Sequence, residues 1–141
     1  MSDRFDTKFG QMVALGPFSV SNLTAGASNT DLTLAGTSTT QPMPRAGSVI
    51  AVGVNSSADV TAGSVIARVH KDSTEFAQSG YPAATLDTTN PRGSYGTCRP
   101  NLIRFAAGDK LGISVTSDAT WAPTNTNDLD AMLYVVFDPE A

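Results

Sequence analysis

Hydrophobic and polar residues alternate with a period of two in the clearest segments of the chain. In the segment KLGISV (110–115), the Leu, Ile and Val fall on one side and the Lys, Gly and Ser on the other. Near the C-terminus a second segment alternates between two sets of residues: Leu133, Val135 and Phe137 on one side, and Met132, Tyr134 and Val136 on the other. A period of two is the repeat of a β-strand, so both segments are predicted to be strands.

Five further segments are predicted strands, separated by clusters of Gly, Pro, Asn and Ser. They are residues 18–23, 31–34, 48–54, 64–70 and 102–105. No window of helical length has the i, i+3, i+4, i+7 spacing of an amphipathic helix. A turn unit recurs before three strands: AGSVI (46–50), AGSVI (62–66) and AGDKL (107–111). Because such turns suit the corners between sheets, the sequence predicts an all-β fold, an antiparallel β-sandwich or jelly roll.

The first residues depart from this pattern. Residues 1–14 mix charged side chains with Phe5, Phe9 and Met12 and show no clean period. We therefore predict an N-terminal arm that packs on another surface. Residues 15–141 are predicted to form a single domain, since a chain of 141 residues is long enough for one hydrophobic core.

A second departure is the segment 72–100, which is predicted to form a long loop. It contains the turn signals YP (81–82), NPRG (90–93) and SYG (94–96). Loops of this length in compact domains are often functional, so we expect Tyr81, Arg92 and Tyr95 to contact a partner. The alternative is a surface loop that is ordered by its own packing.

The charge of the chain argues against nucleic acid and anionic membranes as partners, and its cysteine content excludes an intrachain disulfide. Only 16% of the residues are charged, against roughly 25% on average, and the net charge is −4. No stretch concentrates Lys or Arg, so neither nucleic acid nor an anionic membrane is expected to bind. The single cysteine cannot form an intrachain disulfide. The start MSDRFD lacks the apolar core of a signal peptide, so we expect synthesis in a cytoplasm.

The sequence offers few groups for catalysis. The only histidine is His70, which we interpret as a surface residue at the end of a strand. Cys98 has no second cysteine beside it and is interpreted as a small hydrophobic side chain. Zinc sites need more Cys or His than the chain contains, and phosphate-binding glycine motifs are absent. We therefore predict no enzymatic activity, no cofactor, no metal and no small-molecule substrate.

Two other features each allow two interpretations. Asp128 and Asp130 follow Asn125 and Asn127, and this oxygen-rich cluster could hold calcium or could form a turn before a strand. Trp121 could stack on a sugar ring from an exposed loop, or it could fill the open end of a sandwich. Both questions stay open at the level of sequence.

Four segments together carry a family resemblance: PRAGSVI (44–50), VTAGSVIARV (60–69), FAAGDKLGISV (105–115) and WAPT (121–124). Their order resembles small virion proteins of tailed bacteriophages, in particular capsid decoration (cement) proteins and head-fibre domains. The Ala-Gly-Asp turn before an alternating strand is also similar to trimeric jelly rolls of the tumour-necrosis-factor type. The resemblance covers residues 40–138.

This resemblance implies a homotrimer on the outside of a phage capsid, made in the host cytoplasm, that bridges subunits of the major capsid protein. The trimer contacts would be Met132, Tyr134 and Val136, unless that stripe faces the second sheet of its own protomer. The arm would contact the capsid or a neighbouring trimer through Phe5, Phe9 and Met12.

The sequence-based hypothesis is thus a non-enzymatic decoration protein that stabilises the capsid. The alternative is a phage tail, fibre or adhesin β-domain that binds glycans on the host surface. That alternative requires exposed aromatic side chains to converge, and Tyr81, Tyr95 and Trp121 are the candidates.

Overall fold

The computed structural model describes residues 11–139, and they form two antiparallel β-sheets packed face to face. The strands are β1 (Gln11–Val20), β2 (Thr30–Asp31), β3 (Thr33–Leu34), β4 (Gln41–Pro42), β5 (Gly47–Ser56), β6 (Val65–Lys71), β7 (Thr74–Glu75), β8 (Ala83–Leu86), β9 (Gly93–Thr97), β10 (Ile103–Phe105), β11 (Lys110–Ser117) and β12 (Leu129–Phe137). No helix occurs between residues 11 and 139. The predicted all-β sandwich is confirmed.

The first sheet has the strand order β10-β5-β12-β1-β3, and β9 pairs with β5 beyond the end of β10. The second sheet has the order β2-β11-β6-β7, with β4 also on β11 and β8 also on β6. The longest strands therefore lie in the middle of each sheet, and short strands form most of the edges.

The core lies between the two sheets and follows the period of two. Along β12, Leu133 and Val135 are fully buried and Phe137 is 8% exposed. Across the core, Leu111 and Ile113 of β11 are also fully buried. The core set is thus one of the two sets that alternate along each strand, since one face of each strand packs against the other sheet.

The glycines of the recurring turn unit serve two purposes. Gly63 and Gly108 have φ values of +68° and +91°, a backbone region that favours glycine, and so they form turns. Gly47 instead lies inside β5, where an added Cβ would collide with the backbone of Val136 on β12. The first copy of the motif, at residues 46–50, therefore permits close approach of two strands rather than a turn.

The predicted boundary between arm and domain falls inside a strand. Residues 11–14 belong to β1, and Met12, Val13 and Ala14 pair with Val136, Val135 and Tyr134 of β12. The predicted strand at 18–23 therefore begins earlier than expected and ends at Val20. Phe5 and Phe9 lie outside the described residues.

The segment 72–100 was predicted to be a loop but contains three short strands, β7, β8 and β9. β8 pairs with β6 of the second sheet, whereas β9 pairs with β5 of the first sheet. Gly96 of β9 packs so closely on Ala83 of β8 that an added Cβ would collide with its backbone. The segment therefore closes one side of the sandwich.

Candidate protein–protein interface

The outer side of the first sheet carries a continuous apolar surface. Met132, Tyr134 and Val136 of β12 point outward and are partly exposed, because the alternate residues of this strand fill the core. The stripe predicted to contact other copies therefore faces away from the second sheet of its own protomer. The alternative, in which it faces inward, is wrong.

Strand register extends this stripe across three neighbouring strands. Met12 lies beside Val136, Ala14 beside Tyr134, and Ala51 of β5 beside Tyr134 on the other side. Tyr95 of β9 follows next to Gly53. We call this surface the apolar face and define it by seven residues: Met12, Ala14, Ala51, Tyr95, Met132, Tyr134 and Val136.

The apolar face contains the most exposed large hydrophobic side chains of the described residues. Met12 is 65% exposed and Tyr95 is 77% exposed. Four strands at a spacing of about 4.8 Å give the face an area of roughly 400 Å². The largest apolar patch on a typical monomer is about 300–600 Å² and often marks an interaction site. The size and position of this patch therefore point to a protein contact.

The two outer faces of the sandwich differ in charge. No residue of the apolar face is charged, and the charged residues on the same side of the first sheet lie at its margins: Asp130 of β12, and Arg104 of β10, which pairs with Ser48 beside Val136. The outer face of the second sheet carries Arg68, Glu75 and Asp31 on neighbouring strands. Charged groups are costly to desolvate, so the first sheet is the side better suited to burial against another protein.

A pocket of about 270 Å³ opens at one end of the apolar face, next to Val136. Its apolar lining comprises Ile50, Pro100, Val136, Phe137 and Pro139, and its polar lining comprises Ser48, Asn101 and Asp138. This lining suits an apolar side chain from a partner.

Two arginines fix the polar rim of this pocket. One Nη of Arg104 donates to Oδ1 of Asp138 over 2.8 Å and the other donates to Oδ2. These hydrogen bonds lower the pKa of Asp138 and raise the pKa of Arg104. The Arg45 guanidinium lies 5.5 Å from the centre of the Phe137 ring and donates to the Asp138 carbonyl oxygen. Beside the pocket, Arg104 and Asp138 therefore form an ion pair, whereas Arg45 is held by the Phe137 ring and the Asp138 backbone.

The three residues predicted to form a contact loop are not brought together. Tyr95 lies on the apolar face, as described above. Tyr81 packs edge to face against Phe76, with ring centres 5.0 Å apart. Arg92 forms an exposed ion pair with Asp59 at 3.5 Å. Of these three residues, Tyr95 is the one that belongs to the apolar face.

Trp121 is 2% exposed and belongs to the core. A buried indole cannot stack on a sugar, so of the two interpretations the structure bears out the one in which Trp121 fills the end of the sandwich. Tyr81 is engaged with Phe76, so the aromatic residues that a glycan site would need do not converge. This placement removes the main support for the glycan-binding alternative.

The two side chains considered as candidate catalytic groups, His70 and Cys98, are packed within the fold. His70 lies near the end of β6, as predicted, but is only 3% exposed, so its interpretation as a surface residue is wrong. Its ring occupies space left by Gly112, where a Cβ would collide with the imidazole. The Cys98 thiol donates to the Val49 carbonyl oxygen at 3.3 Å, and burial raises its pKa, which lowers its reactivity as a nucleophile.

The Asn- and Asp-rich segment before β12 holds loops in place. Asp128 accepts a hydrogen bond from the Asn22 backbone at 2.9 Å and donates its own N–H to Ser57. Asn125 has a φ of +65°, which is typical of an asparagine in a turn. Within residues 11–139, no group of three or more His, Cys, Asp or Glu side chains is arranged to hold a metal ion. The turn interpretation accounts for these contacts.

The same range of residues contains no helix of the length and apolarity that crossing a bilayer requires.

No protein-family model and no curated protein sequence matches the chain. A chain of the cyanophage Pam1 capsid asymmetric unit is similar to it, with a TM-score of 0.49 and 11% identity over 92% of this chain and 87% of that chain. A chain of the acidic stable capsid of Helicobacter pylori bacteriophage KHP30 has a TM-score of 0.46 and 10% identity, over 92% and 95% of the two chains. The acetyl xylan esterase Est2A of Butyrivibrio proteoclasticus has a TM-score of 0.33 and 7% identity, over 92% of this chain and 32% of that chain. At these values the similarities do not assign a function.

Proposed function

We propose that this chain is a non-enzymatic structural protein of a tailed-phage virion that binds the outside of the capsid and stabilises it. The observation that supports this proposal is the apolar face, a large uncharged surface on an otherwise well-packed sandwich. The sequence resemblance of residues 40–138 to decoration proteins supports the major capsid protein as the partner. A surface of this kind suits a permanent contact, because exposing it to water in a free monomer would be unfavourable.

In this proposal three copies pack together through Met132, Tyr134 and Val136. Burying roughly 400 Å² per copy at about 25 cal/mol per Å² corresponds to roughly 10 kcal/mol. Association costs about 4–15 kcal/mol in lost translational and rotational freedom. Because these magnitudes are similar, a stable trimer requires most of the face to be covered, including its margin at Tyr95.

Attachment to the capsid would use surfaces beside the trimer contact, including the margin of the apolar face at Met12, which lies opposite the margin at Tyr95. Phe5, Phe9 and Met12 are the proposed contacts with the major capsid protein, and Arg92 and Tyr81 are separate candidate loop contacts. A protein that binds only the assembled shell shifts the equilibrium toward that shell by mass action. Stabilisation therefore depends on the concentration of the protein relative to its dissociation constant, and no chemical step is needed.

The proposal is tested by binding of the purified protein to empty phage heads that lack it, measured by co-sedimentation. We expect saturable binding and a higher temperature of head disruption in the presence of the protein. If the protein does not bind heads, the proposed function is wrong.

A truncated protein that begins at Gln11 tests the part of the proposal that concerns Phe5 and Phe9. We expect the truncated protein to keep its β-sheet circular dichroism spectrum and to bind heads at least tenfold more weakly, because two aromatic anchors are lost. Full-length protein with Ile66→Ala serves as the matched control, since Ile66 is a partly exposed residue of β6 in the second sheet and is not among the proposed contacts. Equal binding by the truncated protein would remove the N-terminal residues from the contact.

A further inference from the structure

The first sheet has an open edge along residues 11–15 of β1. On one side these residues pair with β12, from Gln11 opposite Phe137 to Leu15 opposite Leu133. On the other side β3 pairs only with Phe18 and Ser19. No other strand within residues 11–139 pairs with this side. Backbone N–H and C=O groups along such an edge can bind a further strand.

The other edges of the sandwich are protected in ways that this one is not. β2, β4 and β7 are two residues long and carry Asp31, Pro42 and Glu75. β10 has three residues and includes Arg104, and β9 packs against β8. Short length, proline, charge and cover are the usual devices that prevent strand addition. Residues 11–15 (QMVAL) contain neither charge nor proline.

The side chains beside this edge are also incompletely covered. Val13 and Leu15 point toward the core, since they pair with the buried Val135 and Leu133, but both remain half-buried. Met12 and Ala14, on the outer side, are exposed. An added strand would cover apolar side chains on both sides of the sheet and would also pair the backbone groups.

We propose that a second copy of this chain occupies the edge, with its own Gln11–Leu15 segment antiparallel to the first about a two-fold axis. The absence of charge favours an identical partner, because a two-fold axis would bring equal charges together. With Val13 on the axis, Met12 lies opposite Ala14 of the second copy, so that a large side chain faces a small one. The two first sheets then form one continuous sheet.

The size of this contact indicates how strong it can be. Pairing of two five-residue strands buries roughly 300 Å² per copy, which is less than the roughly 800 Å² of a standard interface. We therefore expect a weak contact between free copies and a firm one where copies are held near each other. The contact leaves Met132, Tyr134 and Val136 uncovered, so it can link neighbouring trimers. It goes beyond the proposed function, because it does not depend on binding to a capsid.

The proposal is tested by disulfide trapping in a Cys98→Ser background. Cysteines at the axis of an antiparallel pair have Cα atoms about 4.5–5.5 Å apart, which suits a disulfide. We expect Val13→Cys to form covalent dimers on the order of tenfold faster than Met12→Cys or Ala14→Cys under mild oxidation. Thr74→Cys is the matched control, since this exposed position on β7 lies in the second sheet, outside both proposed contacts between copies. Equal rates at Val13 and at Thr74 would overturn the proposal.

Hydrogen exchange of the unmodified protein gives a second test that needs no substitution. The proposal predicts that protection of the backbone amides of residues 12–15 rises with protein concentration. If protection of these amides from exchange does not change with concentration, the β1 edge does not pair with a second copy, and the proposal is contradicted. Failure of head binding would leave both results unchanged, so the two proposals can fail separately.

Discussion

Among single residues, His70 has the environment that most affects the pH range of stability. The ring is 3% exposed, and neither nitrogen has a hydrogen-bond partner among the described residues. Its nearest charged atom is Oδ1 of Asp31, 3.5 Å from Nε2. Burial is the main cause that lowers the pKa of His70 below 6.5, and the negative charges of Asp31 and Glu75 oppose it. The folded protein therefore holds a neutral imidazole at pH 7.

This lowered pKa predicts a loss of stability in mild acid. As the pH falls through 6.5, the histidine of the unfolded chain binds a proton before the folded one does, so the free energy of unfolding decreases. The decrease continues until the pH reaches the lower pKa of the folded state, with a slope of at most about 1.4 kcal/mol per pH unit.

Denaturant unfolding between pH 7.5 and pH 5 checks this prediction. His70→Gln is the control: it removes the single histidine of the chain, and its free energy of unfolding should change less across this window. If the wild-type protein and His70→Gln show the same pH dependence, His70 is not the group responsible. Asp138, whose pKa is lowered chiefly by its hydrogen bonds with Arg104, loses its contribution only at lower pH.

The burial of His70 could not be predicted from the sequence, whereas its position on β6 could. Alternation places the ring on the outward side of the strand, where an exposed histidine is the usual expectation. The cover comes from residues distant in the chain: Gly112 leaves space for the ring, and the Thr39 backbone lies over the same site. Such contacts between distant parts of the chain cannot be inferred from the local sequence pattern.

At the level of strands, the difference between β12 and β1 shows what alternation can reveal. β12 alternates between fully buried and partly exposed residues, and β11 has a polar outer side, so both were predicted. In β1, Val13 and Leu15 point inward and Met12 and Ala14 point outward. The residues on both sides of this part of the strand are therefore apolar. The period of two disappears when both sides of a strand are apolar. The same property that concealed β1 is the basis of its proposed role.

The short strands between residues 72 and 100 were missed for a different reason. β8 and β9 have four and five residues, rich in Ala, Gly, Ser and Thr, and lie among turn signals. They are strands because they pair with β6 and β5. Pairing with distant partners depends on tertiary context, which overrides weak local preferences.

The role assigned to β12 predicts the effect of single charges on the apolar face. Met132→Asp or Val136→Asp should dissociate the proposed trimer, because a carboxylate would be buried without a partner. Both positions are partly exposed in the protomer, so the fold should lose no more than about 1 kcal/mol. Sedimentation velocity measures the assembly, and thermal unfolding measures the fold.

Ile66→Asp is the matched control for these variants. Ile66 is a partly exposed position on the outer side of β6, in the second sheet. A trimer should persist in that variant. If Met132→Asp and Val136→Asp also remain trimeric, copies associate through another surface.

At the scale of the whole molecule, the sandwich presents two distinct surfaces for assembly. The apolar face lies on the outer side of the first sheet, and the open edge of β1 lies at its border. A protein with both surfaces can form a closed unit through one and connect such units through the other. Connected units on a shell would hold neighbouring capsid subunits together, which is the kind of stabilisation proposed for this chain.

The mass of the purified full-length protein in solution, measured by multi-angle light scattering, tests most directly whether copies of this chain cover the apolar face. The account predicts a stable particle of three times the mass of one chain at low concentration, with larger particles only at concentrations high enough for the weak contact along β1. A monomer would contradict it, because the apolar face would then be exposed to water in the free protein. In that case the face would have to serve a partner other than a copy of this chain.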